Sequence, residues 1–198
     1  MKRWLSKVDF REVVLAVSLG LLVLATRTIW QLGPNIELIS TLVVFSAVFY
    51  KQKWLRFVAS ISVIVISDLV LGNSAIFLFT WSAFIVGLLL SSLLRMIKQK
   101  GSKDAILSPI EFVGSGIVNV LFFYLWTNLG VVLVSGMYPL SIFGLSQSYI
   151  NALPFLGNQL ISVAIGGAMF YFLYRSLSYL RNSKFIPTQE LKLAAQSK

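Results

Sequence analysis

Residues 51–100 read KQKWLRFVASISVIVISDLVLGNSAIFLFTWSAFIVGLLLSSLLRMIKQK. Lys51, Lys53 and Arg56 open this stretch, Arg95, Lys98 and Lys100 close it, and the only charged residue between Arg56 and Arg95 is Asp68. Two apolar runs, Trp54 to Leu71 and Ile76 to Leu94, flank Gly72-Asn73, a helix-stop signal. Each run is close to the ~20 residues that carry a helix across a bilayer core of about 30 Å. The stretch therefore reads as a helical hairpin whose ends return to one face. Lys and Arg are retained on the cytoplasmic side of short connections, so the turn after Leu71 should point outward.

The same alternation runs through the rest of the chain. Lys2, Arg3, Lys7 and Arg11 precede the first apolar run, Lys103 extends the cluster at Arg95, and Arg175, Arg181, Lys184, Lys192 and Lys198 follow the last. Of the 17 Lys and Arg residues, only Arg27 breaks the pattern. The expected fold is an all-α integral membrane protein, a compact bundle of six transmembrane helices with both termini cytoplasmic. Spans are expected at about 12–32, 35–50, 54–71, 76–94, 108–134 and 153–180, in one domain over residues 1–182, followed by a basic cytoplasmic tail at 183–198. Pro34 and Pro109 suit the first turns of the second and fifth spans. A signal peptide cleaved near Ala25 is the competing reading of the first run; it leaves five spans, which the charge pattern does not fit.

Composition agrees. The chain is 57% hydrophobic and 12% charged, against about 25% charged in ordinary soluble domains. Its formal charge of +10 flanks apolar runs instead of forming a patch, so anionic lipid headgroups, not nucleic acid, are the expected counterions. Cys and His are both absent, which removes disulfides, thiol nucleophiles, imidazole bases and Cys/His metal clusters. No nucleophile–base pair and no Gly-rich phosphate loop is visible, so no catalytic residue, metal or cofactor is expected. Residues 135–152 are too polar and too rich in Gly and Pro for a seventh span. They keep enough apolar side chains to be expected as an outer connection folded back on the helices.

Three groups of residues could carry function. Asp68 lies inside the third span, where a charge costs about 2.5–3.5 kcal/mol and usually faces the bundle interior or a wet cavity. Arg27 and Glu37 should share its level. An Arg27–Asp68 ion pair, a direct role of the trio in binding a ligand or an ion, and an Arg27 exposed among outer headgroups are the alternatives. The second group combines amides and aromatics near the outer ends: Trp30, Asn35, Trp126, Asn128, Tyr138, Tyr149, Asn151 and Asn158. They suit either an interfacial aromatic belt or a pocket with stacking walls and amide donors. Asn119 and Asn128 are nine residues and about 900° apart on one helix, so they cannot line one pocket together. The third group is the small residues Ala16 and Gly20 on the first helix, with Asn158, Ser162 and Gly166 on the sixth. These allow close packing inside the bundle, or docking of another membrane protein on the first helix.

At Pro34-Asn35, Ser67-Asp68-Leu69-Val70-Leu71-Gly72, Asn128, Tyr138-Pro139, Gly144-Leu145, Tyr149 and Pro154-Phe155-Leu156-Gly157-Asn158, the chain resembles an uncharacterised family of small bacterial membrane proteins. That family in turn resembles the substrate-binding S components of energy-coupling-factor (ECF) transporters. The resemblance implies an S-component-like bundle in the bacterial cytoplasmic membrane. It also implies a small ligand, vitamin-like or a vitamin precursor, enclosed by the first outer connection and the outer ends of the last three helices. An energy-coupling membrane subunit docking near Ala16 and Gly20, and two ATPases, would complete the machine. The rival from another class is a structural protein of cell-envelope assembly, comparable to small rod-shape-determining membrane subunits. A secondary carrier using Asp68 for proton coupling is disfavoured by small size and the lack of a visible repeat.

Overall fold

The computed structural model describes residues 9–31, 33–72, 75–101 and 106–183. Lys2, Arg3, Lys7, Asn73, Lys103 and the basic tail after Ser183 lie outside the described residues. The described residues form six helices: α1 (Phe10–Thr28), α2 (Ile39–Phe49), α3 (Lys53–Leu71), α4 (Phe77–Gly101), α5 (Pro109–Val134) and α6 (Ile142–Ser183). Four of them, α3 to α6, are long and apolar enough to cross a membrane. Large apolar side chains such as Leu69, Leu89, Ile165 and Phe172 point away from the core. That surface associates with a bilayer more readily than with water.

Local signals set several ends. Asp9 caps α1 by accepting from the Arg11 N–H. Ser108 and Glu111 close a capping box on α5, with Pro109 in its first turn. At Gly72 the backbone has a φ of 73°, which ends α3 at a residue without a Cβ penalty.

Helix α2 sits at the centre. All eleven of its residues are buried, and it touches each of the other five helices. At 1.5 Å per residue it is only about 16 Å long, roughly half of a bilayer core. Both of its ends therefore lie inside protein, where their unpaired backbone groups need partners. At its C-terminal end two arginines supply them. Arg95 Nη1 donates to the carbonyls of Ala47 (3.2 Å) and Tyr50 (2.6 Å). Arg56 donates to the carbonyls of Tyr50 (2.8 Å) and Lys51 (3.1 Å). Glu12 accepts from the Lys51 N–H at 3.2 Å and from Arg181 at 3.2 Å, tying α1 and α6 to the same corner.

Four expectations are corrected here. The second helix begins at Ile39, not 35, because Gly33 to Leu38 form an irregular approach to it, and at eleven residues it is shorter than the expected span. Helix α4 continues to Gly101, and Arg95 is a buried cap instead of a solvated flanking charge. Helix α6 begins at Ile142, so the irregular outer connection shrinks to 135–141. The helix is 42 residues long with Pro154 inside it. Proline withholds a donor from the carbonyl four residues back and crowds that turn; the Tyr124 hydroxyl donates to the neighbouring Tyr149 carbonyl at 2.6 Å, so α5 supplies a donor where α6 is weakest. Finally, Ala16 and Gly20 face inward: Ala16 is buried, and a Cβ on Gly20 would meet Val63 of α3. The groove expected for a docking partner is filled by the chain's own helix.

Candidate functional site

The connection from Ile29 to Leu38 leaves α1 and reaches α2 by passing beside α6. Asn158 Nδ2 donates to the Pro34 carbonyl at 2.9 Å, and a Cβ on Gly166 would strike Leu38. Asn158 is sixteen residues, about 24 Å of helix, from the start of α6. The Pro34 turn thus lies well down the length of α6, far from its first residue. The stripe Asn158, Ser162 and Gly166 is the seat for this segment and for the start of α2.

Turn chemistry shapes the segment. Asn35 adopts φ 59°, the left-handed region that Asn tolerates better than most residues. The Ile36 N–H donates to the Gly33 carbonyl at 3.1 Å. Gly33-Pro34-Asn35-Ile36 thus has the residue pattern of a type II turn, with Pro and Asn at its centre. Leu38 offers α2 no side-chain cap.

A charged network stands beside this turn. Arg27 Nη2 donates to Asp68 Oδ1 at 2.9 Å, and Arg27 Nε meets Glu37 Oε2 at 3.3 Å. Trp81 Nε1 donates to Asp68 Oδ2 at 2.7 Å. Asp68 is therefore held from α1 and from α4 at once. The side chains of Arg27, Glu37 and Asp68 are only 14%, 12% and 5% exposed. Arg27 Nη1 is buried with no hydrogen-bond partner. One cation faces two carboxylates in a poorly solvated place, so removal of the cation would strand two negative charges.

A cavity of ≈ 360 Å³ opens next to the network, lined by Thr26, Arg27, Gln31, Gly33, Pro34, Asn35, Ile36, Glu37 and Leu71. Its walls combine one guanidinium, one carboxylate, two amides and apolar surface, a composition suited to a small molecule with a few directed polar groups.

Of the residues singled out in the sequence, Arg27, Asn35, Glu37 and Asp68 come together here. Trp30 is more than half exposed and does not line the cavity. Asn158 acts through the Pro34 turn. The remaining five do not line this cavity: the bonds of Trp126 and Tyr149 join neighbouring helices, that of Asn128 stays within α5, and that of Asn151 joins α6 to Tyr138 in the 135–141 connection. Trp126 donates to Ser82 Oγ (2.8 Å), Asn128 to the Tyr124 carbonyl (2.8 Å), Tyr149 to the Leu125 carbonyl (3.0 Å) and Asn151 to the Tyr138 hydroxyl (3.1 Å). Their polar atoms have partners within the chain, which lone-residue reading cannot reveal. Trp81, which holds Asp68 from α4, was not among the site residues named from the sequence. Its signal was its position one turn into α4, opposite an intramembrane carboxylate across a short turn.

Among the described residues no three His, Cys, Asp or Glu side chains group so as to hold a metal ion. In comparisons with known proteins, a family of unknown function, DUF6580, matches residues 7–186. No curated protein and no solved structure matches the chain.

Proposed function

The chain belongs to that family of unknown function, and from this premise and the geometry above we propose that it is a membrane-embedded capture subunit for one small organic molecule. The ligand binds in the cavity beside Arg27. One observation carries the reading: an irregular, polar segment, Gly33 to Leu38, is held deep along α6 around a cavity of ≈ 360 Å³. Within a bilayer such backbone is tolerated only where it is buried in protein or lines a wet cavity, and interrupted helices are where membrane proteins place small-ligand sites.

The described cations other than Arg27 gather at the opposite end, around Arg95, Lys98 and Arg181. That end is assigned to the cytoplasm and the Arg27 end to the outside, which gives a six-helix bundle in the bacterial cytoplasmic membrane with both termini on its cytoplasmic side. Uptake would then need an energy-coupling membrane subunit and two ATPases, as in ECF transporters. Because Ala16 and Gly20 are filled, the coupling subunit would meet the outward face of α1, where Val14, Val17 and Leu21 are exposed. A structural protein of cell-envelope assembly calls for a sealed outer end, and the open cavity argues against it.

Native mass spectrometry of the detergent-extracted chain tests the reading. The parent should carry one small molecule, and Thr26→Trp, which fills the cavity, should lose it while remaining helical. A parent that carries no bound molecule and shows no metabolite-dependent thermal shift refutes a capture role.

A further inference from the structure

A second cavity, of ≈ 740 Å³, lies at the opposite end of the molecule, in the angle between α1 and α6. Among the described residues α1 packs on α2 and α3, whereas it reaches α6 through side chains. Glu12 of α1 meets Arg181 of α6 at 3.2 Å across this gap, and the Arg181 guanidinium stands 4.9 Å from the centre of the Phe49 ring of α2. Phe49 is thus the floor of a groove whose walls are two helices. Polarity changes along it. Arg11 and Arg181 mark one end; Leu15 and Leu177, four residues away on each helix, line it about 6 Å deeper into the bundle, and Ser18 lies beyond them. The carboxylates at the charged end have partners. Asp9 Oδ1 accepts from the Arg11 N–H, and Glu12, 7% exposed, accepts from the Lys51 N–H as well as from Arg181. One exposed carboxylate, that of Asp9, therefore stands beside two accessible guanidiniums, Arg11 being exposed and Arg181 32% exposed.

We propose that this groove seats one phospholipid with an anionic headgroup. Its phosphate lies on Arg11 and Arg181, and one acyl chain runs past Leu15 and Leu177 between α1 and α6. Three arguments select this occupant. The groove has a lipid's own profile, charged at the membrane interface and apolar one turn deeper, and basic pockets between membrane helices at the cytoplasmic side are where anionic headgroups are held. Guanidiniums suit phosphate, because each offers five N–H donors in a planar fork, and Arg181 spends one of them on Glu12. The width favours a chain over a helix: the Glu12–Arg181 bond keeps α1 and α6 within the reach of two side chains, while a helix with its side chains is about 10–12 Å across. A soluble anion would leave the apolar wall uncovered. The lipid supplies contact between α1 and α6 that the chain does not make for itself. This site lies away from the Arg27 cavity, so it stands or falls separately from the capture reading.

The test is native mass spectrometry of the full chain released from nanodiscs of phosphatidylglycerol and phosphatidylethanolamine in equal parts. The expected result is one retained phosphatidylglycerol. Arg11→Gln leaves the Asp9 cap on the backbone N–H and should cut retention about fivefold, the factor that roughly 1 kcal/mol per cation near a membrane surface represents. Lys100→Gln removes an exposed cation at the same end but outside the groove, and should leave retention unchanged. Ser18→Trp fills the deep part of the groove and should abolish retention with both arginines in place. Ser18 is exposed, so this variant should stay helical by circular dichroism; if it does not, Arg11→Gln against Lys100→Gln decides alone. Equal retention of the two lipids, or an equal loss in Arg11→Gln and Lys100→Gln, overturns the proposal. Displacement of the lipid by inorganic phosphate reduces the groove to an anion pocket and also overturns it. A photo-crosslinking residue at Ser18, activated in native membranes, should label lipid; labelling of a polypeptide assigns the groove to a partner protein and refutes the lipid.

Discussion

Replacing Asp68 by Ala probes the network most directly. The carboxylate is 5% exposed and accepts from Arg27 at 2.9 Å and from Trp81 at 2.7 Å. Loss of the bond to charged Arg27 should cost about 1.5–3 kcal/mol, and the stranded Trp81 N–H about 1–3 kcal/mol more. Arg27 itself is not left alone, because Glu37 stays at 3.3 Å. The net expectation is therefore about 3–5 kcal/mol. For a chain of this length that corresponds to a fall of roughly 6–20 °C in Tm. Glu37→Ala breaks one contact and leaves Arg27 with Asp68, so its cost should be about 1–2 kcal/mol. The assay is thermal unfolding in a single detergent, followed by tryptophan fluorescence, on the two single variants, Arg27→Ala and the Arg27→Ala/Asp68→Ala double variant. Because Arg27→Ala alone strands two carboxylates, the double variant should be more stable than the summed losses imply, by about 1.5–3 kcal/mol. Strict additivity, or a larger loss from Glu37→Ala than from Asp68→Ala, refutes the reasoning.

Arg95→Met should destabilise by about 2–4 kcal/mol, since it uncovers the Ala47 and Tyr50 carbonyls at the buried end of α2. Arg95→Lys should recover part of that loss in the same unfolding assay. Asn158→Ala should lower stability by only about 1 kcal/mol yet release the Pro34 turn, so native mass spectra should show reduced ligand retention. Asn151→Ala, whose amide reaches the Tyr138 hydroxyl, should leave retention unchanged. Single cysteines at Lys100 and Ser146, both exposed in a chain with no native cysteine, should label from opposite sides of the membrane; labelling of both from one side contradicts the topology.

The sequence by itself determined the membrane class, because apolar length and the placement of cations are one-dimensional properties that a bilayer reads directly. Gly72 and the Ser108–Glu111 box likewise fix helix ends through contacts within a few residues. The sequence also marked Arg27, Glu37 and Asp68, since charges are conspicuous against apolar surroundings. Only the tertiary structure decided which polar groups were already committed. Asn128 and Asn151 carry the same amide as Asn35, but the first donates to the Tyr124 carbonyl one turn back on α5 and the second to the Tyr138 hydroxyl of the 135–141 connection, while the third lines the cavity. Arg95 resembles any flanking cation until α2 proves too short to reach the interface, so that its carbonyls end where Arg95 can meet them. The helical start of α6 escaped because Pro154 and the nearby Gly residues argue locally for a loop, and packing on α5, with one hydroxyl–carbonyl bond donated from each helix over more than twenty residues of separation, outweighs that local preference. Hydrogen bonds form between groups that folding brings together, and sequence distance does not record that encounter.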